Sequence, residues 1–270
     1  MEFQFKVVAR GLMRAGDKAS AIGDPAVRNR SGDRARRLKP KVWDSDFTLM
    51  RCLATAYRSV IARHVGSSGD LTVVDYGCGP MPYRALLESA TRKYIGADFP
   101  GNVEADVFVG DDGSLPLADA SADVVVSSQV LEHVLDVDGY LRESRRVLRD
   151  DGILLLSTHG TWIYHPHPTD VRRWTRWGLK FDIEKSGFRV IETIACMGPL
   201  AYTGQVRLLL WVGLLNRLGA VGKIARVPLC LLYQGLMWLE DRITPAWVTA
   251  ENAAVYVVAA RKAAAGGANS

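Results

Sequence analysis

The sequence of 270 residues contains little cysteine and no long uncharged apolar run. Its four cysteines form no CxxC pair and have no histidine nearby, which excludes a disulfide scaffold and a structural zinc module. They are Cys52, Cys78, Cys196 and Cys230. A transmembrane helix needs roughly 18 uncharged apolar residues. The apolar stretches that end at Arg217 and at Glu240 are shorter than this, so we predict no membrane span.

The first residues, MEFQFKVVARGLMR, also lack the continuous apolar segment of a secretory signal, because Lys6, Arg10 and Arg14 interrupt it. Together with the low cysteine content, this predicts a cytoplasmic protein. Peripheral contact with the inner face of the membrane remains open.

Positive charge is concentrated at the N-terminus. The chain has a net charge of +5, with 11 Lys/Arg and 4 Asp/Glu in residues 1–42 and 23 Lys/Arg and 25 Asp/Glu in the remainder. Residues 15–40 are rich in Gly, Asp, Ser and Arg without apolar periodicity, so we interpret residues 1–42 as a basic flexible arm or lid. RNA, anionic lipid and a phosphorylated acceptor are its candidate partners. No aromatic residues alternate with the basic ones, which argues against nucleic acid.

Seven runs rich in Val, Ile and Leu alternate with helical segments and predict strands. They are Leu71–Asp75, Lys93–Asp98, Asp106–Val109, Ala122–Ser127, Ile153–Thr158, Val190–Ala195 and Ala254–Ala260. Helical periodicity covers Asp46–Val65, Pro82–Ala90, Val137–Leu148 and Thr175–Ser186. Continuous apolar runs are typical of strands buried on both faces. We therefore predict an α/β fold with a doubly wound, seven-stranded, mostly parallel sheet, whose ligand binds at the carboxyl ends of the strands.

One segment interrupts this alternation before the last strand. Two apolar helical stretches, Tyr202–Leu218 and Val227–Ile243, are separated by a turn that contains Gly, Lys and Pro. We interpret residues 198–250 as a helical insertion into a body formed by residues 43–197 and 251–263. Core packing, a homodimer surface, a lid and a membrane-surface patch all remain open as its role.

The strongest local signal is a strand that ends in aspartate and enters a glycine turn, Val73-Val74-Asp75-Tyr76-Gly77-Cys78-Gly79-Pro80. Glycine allows the main chain to approach a ligand closely, and the helix N-terminus after the turn favours an anionic group. An ordinary tight turn between strand and helix is the alternative. The pattern is not the GxGxxG of dinucleotide enzymes, because position 82 is proline.

Further polar residues follow the next strands. The second strand ends at Asp98, where a carboxylate can accept hydrogen bonds from a ribose, with helix capping as the alternative. The third strand leads into GDDGSLP (110–116), and the fourth leads into SSQVLEHV (127–134). Taken in order, VVDYGCGP, IGADF, GDDGSLPLADASADVVVSSQVLEHV and LRESRRVLRDDGILLLST resemble class I S-adenosylmethionine-dependent methyltransferases over about residues 70–197 and again over 253–262.

This resemblance implies a Rossmann-like methyltransferase fold and S-adenosylmethionine as the cofactor. It also implies a role for each matching residue. Asp75 holds the methionine end of the cofactor, beside the turn formed by Gly77, Cys78 and Gly79. Asp98 binds the ribose, and Phe99 lies beside the adenine. Asp111 or the adjacent Asp112 contacts the adenine amino group, and Gln129 faces the cofactor through its backbone. The chain departs from the family at Met81, where many members have a third glycine.

Candidate bases and acceptor-binding residues cluster after the fifth strand, between residues 159 and 175. A hydroxyl acceptor needs a base, and a histidine with an unperturbed pKa of about 6.5 suits that role. We predict catalytic roles for His165 and His167, and also for His133, for which helix capping is the alternative. The substrate-binding candidates are Trp162, Tyr164, Asp170 and Arg173. An ion pair between Asp170 and Arg173, and capping of the next helix by Asp170 or Thr175, are the structural alternatives.

The GCGPMPY turn and the HPHPTDVRRWT loop are similar to a methyltransferase subgroup that acts in glycan or natural-product biosynthesis. The sequence thus predicts methyl transfer to a hydroxyl of a small molecule, sugar or lipid-linked glycan. An RNA or protein methyltransferase that uses the basic arm is one alternative, although no NPPY-like tetrapeptide follows the fourth strand. A non-catalytic partner protein with the same fold is the other. The histidine and carboxylate spacings predict no metal site.

Overall fold

The computed structural model describes residues 30–67, 69–165 and 169–264, which contain a seven-stranded sheet. The strands are β1 (Leu71–Tyr76), β2 (Thr91–Asp98), β3 (Val107–Phe108), β4 (Ala122–Ser128), β5 (Leu148–His159), β6 (Phe188–Cys196) and β7 (Val255–Lys262). Their order across the sheet is β3-β2-β1-β4-β5-β7-β6. Strands β1 to β5 pair in parallel, whereas β7 is antiparallel to both β5 and β6. The predicted seven-stranded, mostly parallel sheet is confirmed.

Eight α-helices lie in the described part of the chain. They are α1 (Arg30–Leu38), α2 (Phe47–His64), α3 (Arg84–Leu87), α4 (Val137–Val147), α5 (Arg176–Lys185), α6 (Pro199–Asn216), α7 (Gly219–Ile243) and α8 (Ala246–Glu251). Helix α4 begins where the Asp136 carboxylate accepts from the Gly139 N–H at 2.9 Å, and α5 begins where the Thr175 hydroxyl accepts from the Gly178 N–H at 3.0 Å. Each cap satisfies a backbone donor that the helix itself leaves unpaired.

The sheet is buried on both faces, which explains the continuous apolar runs. Alternate residues of β4 and β5 point in opposite directions. Val124, Val126 and Leu155 pack in a cluster with α2, α6 and α7. Val125 and Leu154 belong to a second cluster with α4 and α5 on the other face. No strand therefore shows an alternation of polar and apolar residues.

The structure corrects the sequence interpretation in three places. Residues 30–38 form helix α1 within the predicted arm, while residues 15–29 lie outside the described part. The turn in the insertion comes earlier than predicted, at residues 217–218, and Pro228 lies inside α7. Packing of α7 along α6 holds the helix continuous through this proline. The predicted helix over Pro82–Ala90 shortens to α3 and a 3₁₀ turn, Glu88–Ala90.

The parallel strands bring several predicted site residues to one edge of the sheet. Asp75 in β1 is paired with Gly96 of β2 and Val126 of β4. The carboxyl ends of β1, β2, β4 and β5 therefore meet at this edge, which holds the site described next.

Candidate functional site

The glycine turn after β1 is bound to the end of β2. The N–H groups of Gly77 and Cys78 both donate to the Ala97 carbonyl, at 2.8 and 3.0 Å. Gly77 has a φ of +77°, and a Cβ at this position would lie 2.6 Å from a methyl carbon of Val130. Only glycine fits there, because both the backbone conformation and the space exclude a side chain.

Met81 takes a φ of +50°, in the left-handed region that favours glycine. Its side chain is buried and lies against Gly96, where a Cβ would collide with the Met81 methyl group. The chain thus keeps the turn conformation at the position where the resemblance expects glycine. The methionine side chain fills the space over Gly96.

Asp75 is buried at the end of β1 beside this turn. Its Oδ2 accepts a hydrogen bond from the Tyr94 hydroxyl at 2.7 Å, whereas its Oδ1 has no partner among the described residues. Burial raises the pKa of Asp75 to about 7, and the hydrogen bond from Tyr94 opposes part of this shift. A buried carboxylate oxygen without a partner is costly on its own and is well matched to a cationic group such as an ammonium.

Asp98 ends β2 and accepts three hydrogen bonds. Its Oδ1 accepts from the Phe99 N–H at 2.8 Å, and its Oδ2 accepts from the Gly79 N–H at 3.0 Å and from the Asn102 amide at 2.7 Å. These bonds fix the carboxylate beside the glycine turn. The Phe99 ring is exposed next to it, and the buried Cys78 thiol lies 4.0 Å from Oδ2.

The loop after β3 separates the two candidate aspartates. The Asp112 carboxylate accepts from the N–H and the hydroxyl of Ser114, at 2.9 and 2.6 Å, so it closes its own turn. Asp111 is exposed, and its side chain has no hydrogen bond with the residues that the structure describes. This geometry favours Asp111 over Asp112 as a ligand-binding residue.

Gln129 follows β4 with a φ of +57°. Its backbone N–H donates to the Ser157 carbonyl at 3.0 Å, and its side-chain amide donates to the Ser157 hydroxyl at 3.0 Å. Both donors therefore point to β5. Only the Gln129 carbonyl is left to serve the predicted backbone contact with a cofactor.

A carboxylate and two histidines meet at the ends of β4 and β5. Glu132 is fully buried, and its Oε2 accepts from the Thr158 hydroxyl at 2.8 Å. Its Oε1 lies 3.3 Å from His159 Nδ1 and 3.9 Å from His133 Nε2. Burial raises the pKa of Glu132 to about 7 and lowers the pKa of His159 to about 3, so His159 is neutral at pH 7. We call Glu132, His133 and His159 the carboxylate–imidazole cluster.

The tautomer of His133 follows from its hydrogen bond. Its Nδ1 contacts the Thr169 carbonyl, which can only accept, so Nδ1 carries the proton. In the neutral ring the lone pair is then on Nε2. The predicted base His165 is exposed, with its ring 6.1 Å from that of His133 and 6.3 Å from that of His159. His167 lies outside the described residues.

Asp170 and Arg173 hold the loop together. The Arg173 guanidinium donates to both oxygens of Asp170 and to the carbonyls of Trp162 and Ile163. Asp170 also accepts from the His165 N–H at 2.6 Å, and its hydrogen bonds with Arg173 lower its pKa to about 2. This geometry matches the structural alternative for the pair, and Thr175 rather than Asp170 caps α5.

Trp162 forms an aromatic wall beside the cluster. Its ring stacks on His159 with centroids 5.6 Å apart and contacts Tyr202 at the start of α6 at 5.7 Å. Tyr164, another substrate-binding candidate, is 75 % exposed. Trp162 therefore packs beside the carboxylate–imidazole cluster, whereas Tyr164 is exposed to solvent.

Helix α1 reaches across this edge of the sheet. The Arg34 guanidinium donates to the Pro80 carbonyl in the glycine turn and to the Glu104 carboxylate, each at 2.7 Å. Sequence reasoning missed Arg34, Tyr94, Asn102 and Glu132 as site residues, and it placed His159 in the stretch of candidate bases without a role of its own. Glu132 and His159 were detectable as polar residues at strand ends, but their meeting depends on the pairing of β4 with β5. In the described residues no set of His, Cys, Asp and Glu side chains forms a candidate metal site.

Comparison with known proteins agrees with this geometry. Residues 74–156 match the family model described as a methyltransferase domain. A probable S-adenosylmethionine-dependent methyltransferase of Mycolicibacterium smegmatis is 34 % identical over 137 residues, which cover 45 % of this chain and 53 % of the relative. Demethylmenaquinone methyltransferase of Lactobacillus johnsonii is 32 % identical over 115 residues, 42 % of this chain and 44 % of that protein. The chain thus spans about half the length of these relatives.

The fold has solved counterparts. The [4+2]-cyclase SpnF superposes with a TM-score of 0.50 and 18 % identity, and the match covers 78 % of this chain and 81 % of that one. Over residues 74–156 the chain is thus similar to S-adenosylmethionine-dependent methyltransferases, as the resemblance in the sequence implied. Its matched methyltransferase domain extends from residue 74 in β1 to residue 156 in β5.

Proposed function

We propose that the chain transfers the methyl group of S-adenosylmethionine to a hydroxyl oxygen of a small molecule, a sugar or a lipid-linked glycan. The observation that carries the hydroxyl assignment is the carboxylate–imidazole cluster at the ends of β4 and β5. A hydroxyl is a weak nucleophile at neutral pH, so its reaction is helped by a base placed on its proton. The cluster supplies such a base next to the edge of the sheet where Asp75 and Asp98 lie.

The cofactor side of the site fits S-adenosylmethionine. The unpartnered Oδ1 of Asp75 suits the ammonium of the methionine part, and the turn at Gly77 gives the main chain close access. Asp98 can accept hydrogen bonds from the ribose hydroxyls, and Asp111 is available for the adenine amino group. When bound, S-adenosylmethionine supplies a methyl group on a positively charged sulfur.

On the acceptor side, His133 is the proposed base. Its Nε2 takes the hydroxyl proton while the new bond from methyl carbon to oxygen forms and the bond from that carbon to sulfur breaks. The Thr169 carbonyl fixes the tautomer, and the Glu132 carboxylate stabilises the imidazolium that results. Trp162 offers an aromatic face to an apolar or sugar acceptor.

The test combines binding with turnover. In calorimetry, Asp75→Asn and Asp98→Ala should each weaken S-adenosylmethionine binding at least tenfold, because each removes one hydrogen-bonding charge. His133→Asn and Glu132→Gln should keep the wild-type affinity and lose about 10²- to 10⁴-fold in kcat, as expected for a missing base. The acceptor is found by incubating cell extract with methyl-labelled S-adenosylmethionine and identifying the labelled product by mass spectrometry.

Four outcomes would contradict this proposal. A label on nitrogen or carbon overturns the hydroxyl assignment. Full turnover of His133→Asn together with loss of turnover in His165→Asn moves the base to His165. Binding without any methyl transfer supports a non-catalytic role, and transfer to RNA that weakens with salt supports the RNA alternative.

A further inference from the structure

The segment that forms α6 and α7 has charge of one sign only along most of its length. The 47 residues from Thr193 to Leu239 contain no aspartate or glutamate, and their only charged side chains are basic. These are Arg207, Arg217, Lys223 and Arg226. The acids that follow this segment, Glu240 and Asp241, lie at the base of the hairpin. Glu240 pairs with Arg207 at 3.7 Å, and Asp241 accepts from the Gly198 N–H at 2.8 Å.

The same two helices expose many large apolar side chains. Leu218 at the turn is 62 % exposed, and Ile224 in the first turns of α7 is 75 % exposed. The others on the hairpin are Leu200, Leu210, Trp211, Leu214, Val221, Val227, Leu231, Leu232, Leu236, Trp238, Leu239 and Ile243. An apolar surface of this kind marks an interaction site, because single exposed leucines are ordinary but a continuous set is not.

Both helices turn their inner faces to the same part of the body. The Gln205 amide of α6 donates to the Ser45 carbonyl at 2.7 Å, and the Gln234 amide of α7 donates to the Asp44 carbonyl at 3.0 Å. The buried residues of each helix recur every three or four positions on that side. The exposed apolar residues of both helices therefore lie in the layer of the hairpin that the body leaves uncovered. We call this layer the outer face of the hairpin.

We propose that the outer face of the hairpin docks on the surface of an anionic lipid bilayer. No helix in the described part of the chain is long and apolar enough to cross a membrane. Helices with apolar side chains on one face and Lys or Arg around them instead lie at the level of the lipid headgroups. Trp211 and Trp238 suit that boundary, because an indole has an apolar body and a polar N–H.

Charge favours a bilayer over a second copy of the chain. In a symmetric dimer through the outer face, the same patch would meet itself. The exposed Arg217 and Lys223 would then approach a patch that is itself basic, because no acid lies between Thr193 and Leu239. Anionic headgroups supply the missing negative charge, and each basic residue near the membrane surface strengthens binding roughly fivefold.

The start of the hairpin lies close to the carboxylate–imidazole cluster. Tyr202 lies in the first turns of α6, and its ring contacts Trp162, which stacks on His159. A docked hairpin would thus place the carboxylate–imidazole cluster beside the membrane. This last step rests on the proposed function and indicates an acceptor attached to a lipid, whereas the docking itself does not depend on methyl transfer.

The experiment is vesicle flotation of the full chain without cofactor or acceptor. Vesicles of phosphatidylcholine mixed with phosphatidylglycerol should carry the protein, and vesicles of phosphatidylcholine alone should carry at least tenfold less. The variant R217Q/K223Q/R226Q should bind the mixed vesicles roughly a hundredfold more weakly, following the same factor per charge. L218Q/I224Q should also lose at least tenfold, because two apolar side chains no longer enter the interface.

Matched variants elsewhere in the chain serve as controls. Phe181→Gln removes an equally exposed apolar side chain from α5, and Lys93→Gln removes an exposed charge from β2. Both should float like the wild type, and the circular dichroism melting curve should show every variant folded. Equal binding to both vesicle types, or unchanged binding of R217Q/K223Q/R226Q, would overturn the proposal. The proposal would also be overturned if the wild-type protein does not float but forms a dimer that the L218Q/I224Q substitutions dissociate. Because S-adenosylmethionine is absent, these results are separate from the test of methyl transfer.

Discussion

Gly77 and Val130 show how one residue type is required by its neighbour. A side chain at 77 would meet Val130 at 2.6 Å and would need a positive φ. We expect Gly77→Ala to lower the free energy of unfolding by roughly 2–4 kcal/mol, from overpacking and from backbone strain. Denaturant unfolding measures this loss. S-adenosylmethionine affinity, measured by calorimetry, should fall as well, because the turn must move.

Two further variants separate the causes of that loss. Adding Val130→Ala to Gly77→Ala should recover part of the stability, since it removes the clash and leaves only the strain. Gly213→Ala places the same methyl group on an open part of α6, where nothing lies within 4 Å, and should stabilise by about 0.5–1 kcal/mol. Wild-type stability of Gly77→Ala would show that the turn tolerates a side chain.

At this scale, the sequence predicts site residues best where a residue type is strongly favoured for one physical reason at its position. Asp75, Gly77 and Asp98 stand at strand ends, and the structure brings them together beside one turn. Sequence reasoning assigned no specific role to Glu132 or His159. A glutamate in a short polar segment is ordinary in a sequence, and only the pairing of β4 with β5 buries it against His159. His165 matched the expected chemistry of a base, yet the structure exposes it.

At the scale of elements, the Arg34 side chain joins α1 to the glycine turn. Arg34 bonds the Pro80 carbonyl and Glu104, and this holds α1 over the ends of β1 and β2. We expect Arg34→Gln to weaken S-adenosylmethionine binding about three- to tenfold, because one charge-assisted contact to the turn is lost. The dissociation rate in stopped-flow should rise by a similar factor.

Arg36→Gln is the matched control for this prediction. Arg36 lies on the same helix but pairs with Asp46, at 2.7 and 2.9 Å, away from the turn. It should leave cofactor affinity unchanged. Equal effects of the two variants would mean that general charge, rather than the contact with Pro80, controls binding.

The elements themselves followed from the sequence better than their arrangement did. Strand β4 was predicted to within one residue, because a run such as VVVS is buried on both faces. The position of antiparallel β7 between β5 and β6 cannot be predicted from its sequence AVYVVAA, because the direction of strand pairing does not change the composition of a buried strand. Pro228 predicted a break in the insertion, but packing against α6 overrides that local preference within α7.

On the scale of the whole molecule, the net charge of +5 conceals three regions with different charge. The N-terminal segment is basic, the sheet carries acids at its carboxyl edge, and the hairpin is apolar with only basic charges before Glu240. An anionic surface and a cationic cofactor can bind to separate parts of the chain.

Buried ionisable groups link the stability of the whole fold to pH. The pKa of Asp75 is raised from 3.8 to about 7. Between these values the folded chain holds a proton that the unfolded chain has lost, so this group lowers stability as pH rises and costs its full amount above about pH 7. Replacing it by asparagine removes that cost. The free energy of unfolding of Asp75→Asn minus that of the wild type should therefore rise by about 1.4 kcal/mol per pH unit up to about pH 7, which is roughly 3 kcal/mol between pH 5 and pH 7.

His159 supplies the control with the opposite sign. Its pKa is lowered to about 3. Below pH 6.5 the unfolded chain therefore binds a proton at this residue and the folded chain does not, so the free energy of unfolding falls as pH decreases. The free energy of unfolding of His159→Asn minus that of the wild type should therefore rise toward low pH. The same difference for Asp75→Asn rises toward high pH. Urea unfolding of both variants at a series of pH values from 5 to 8 measures the two slopes, each quoted per pH interval. Two slopes of the same sign would show that general charge repulsion, and not the burial of these two groups, sets the pH dependence of the fold.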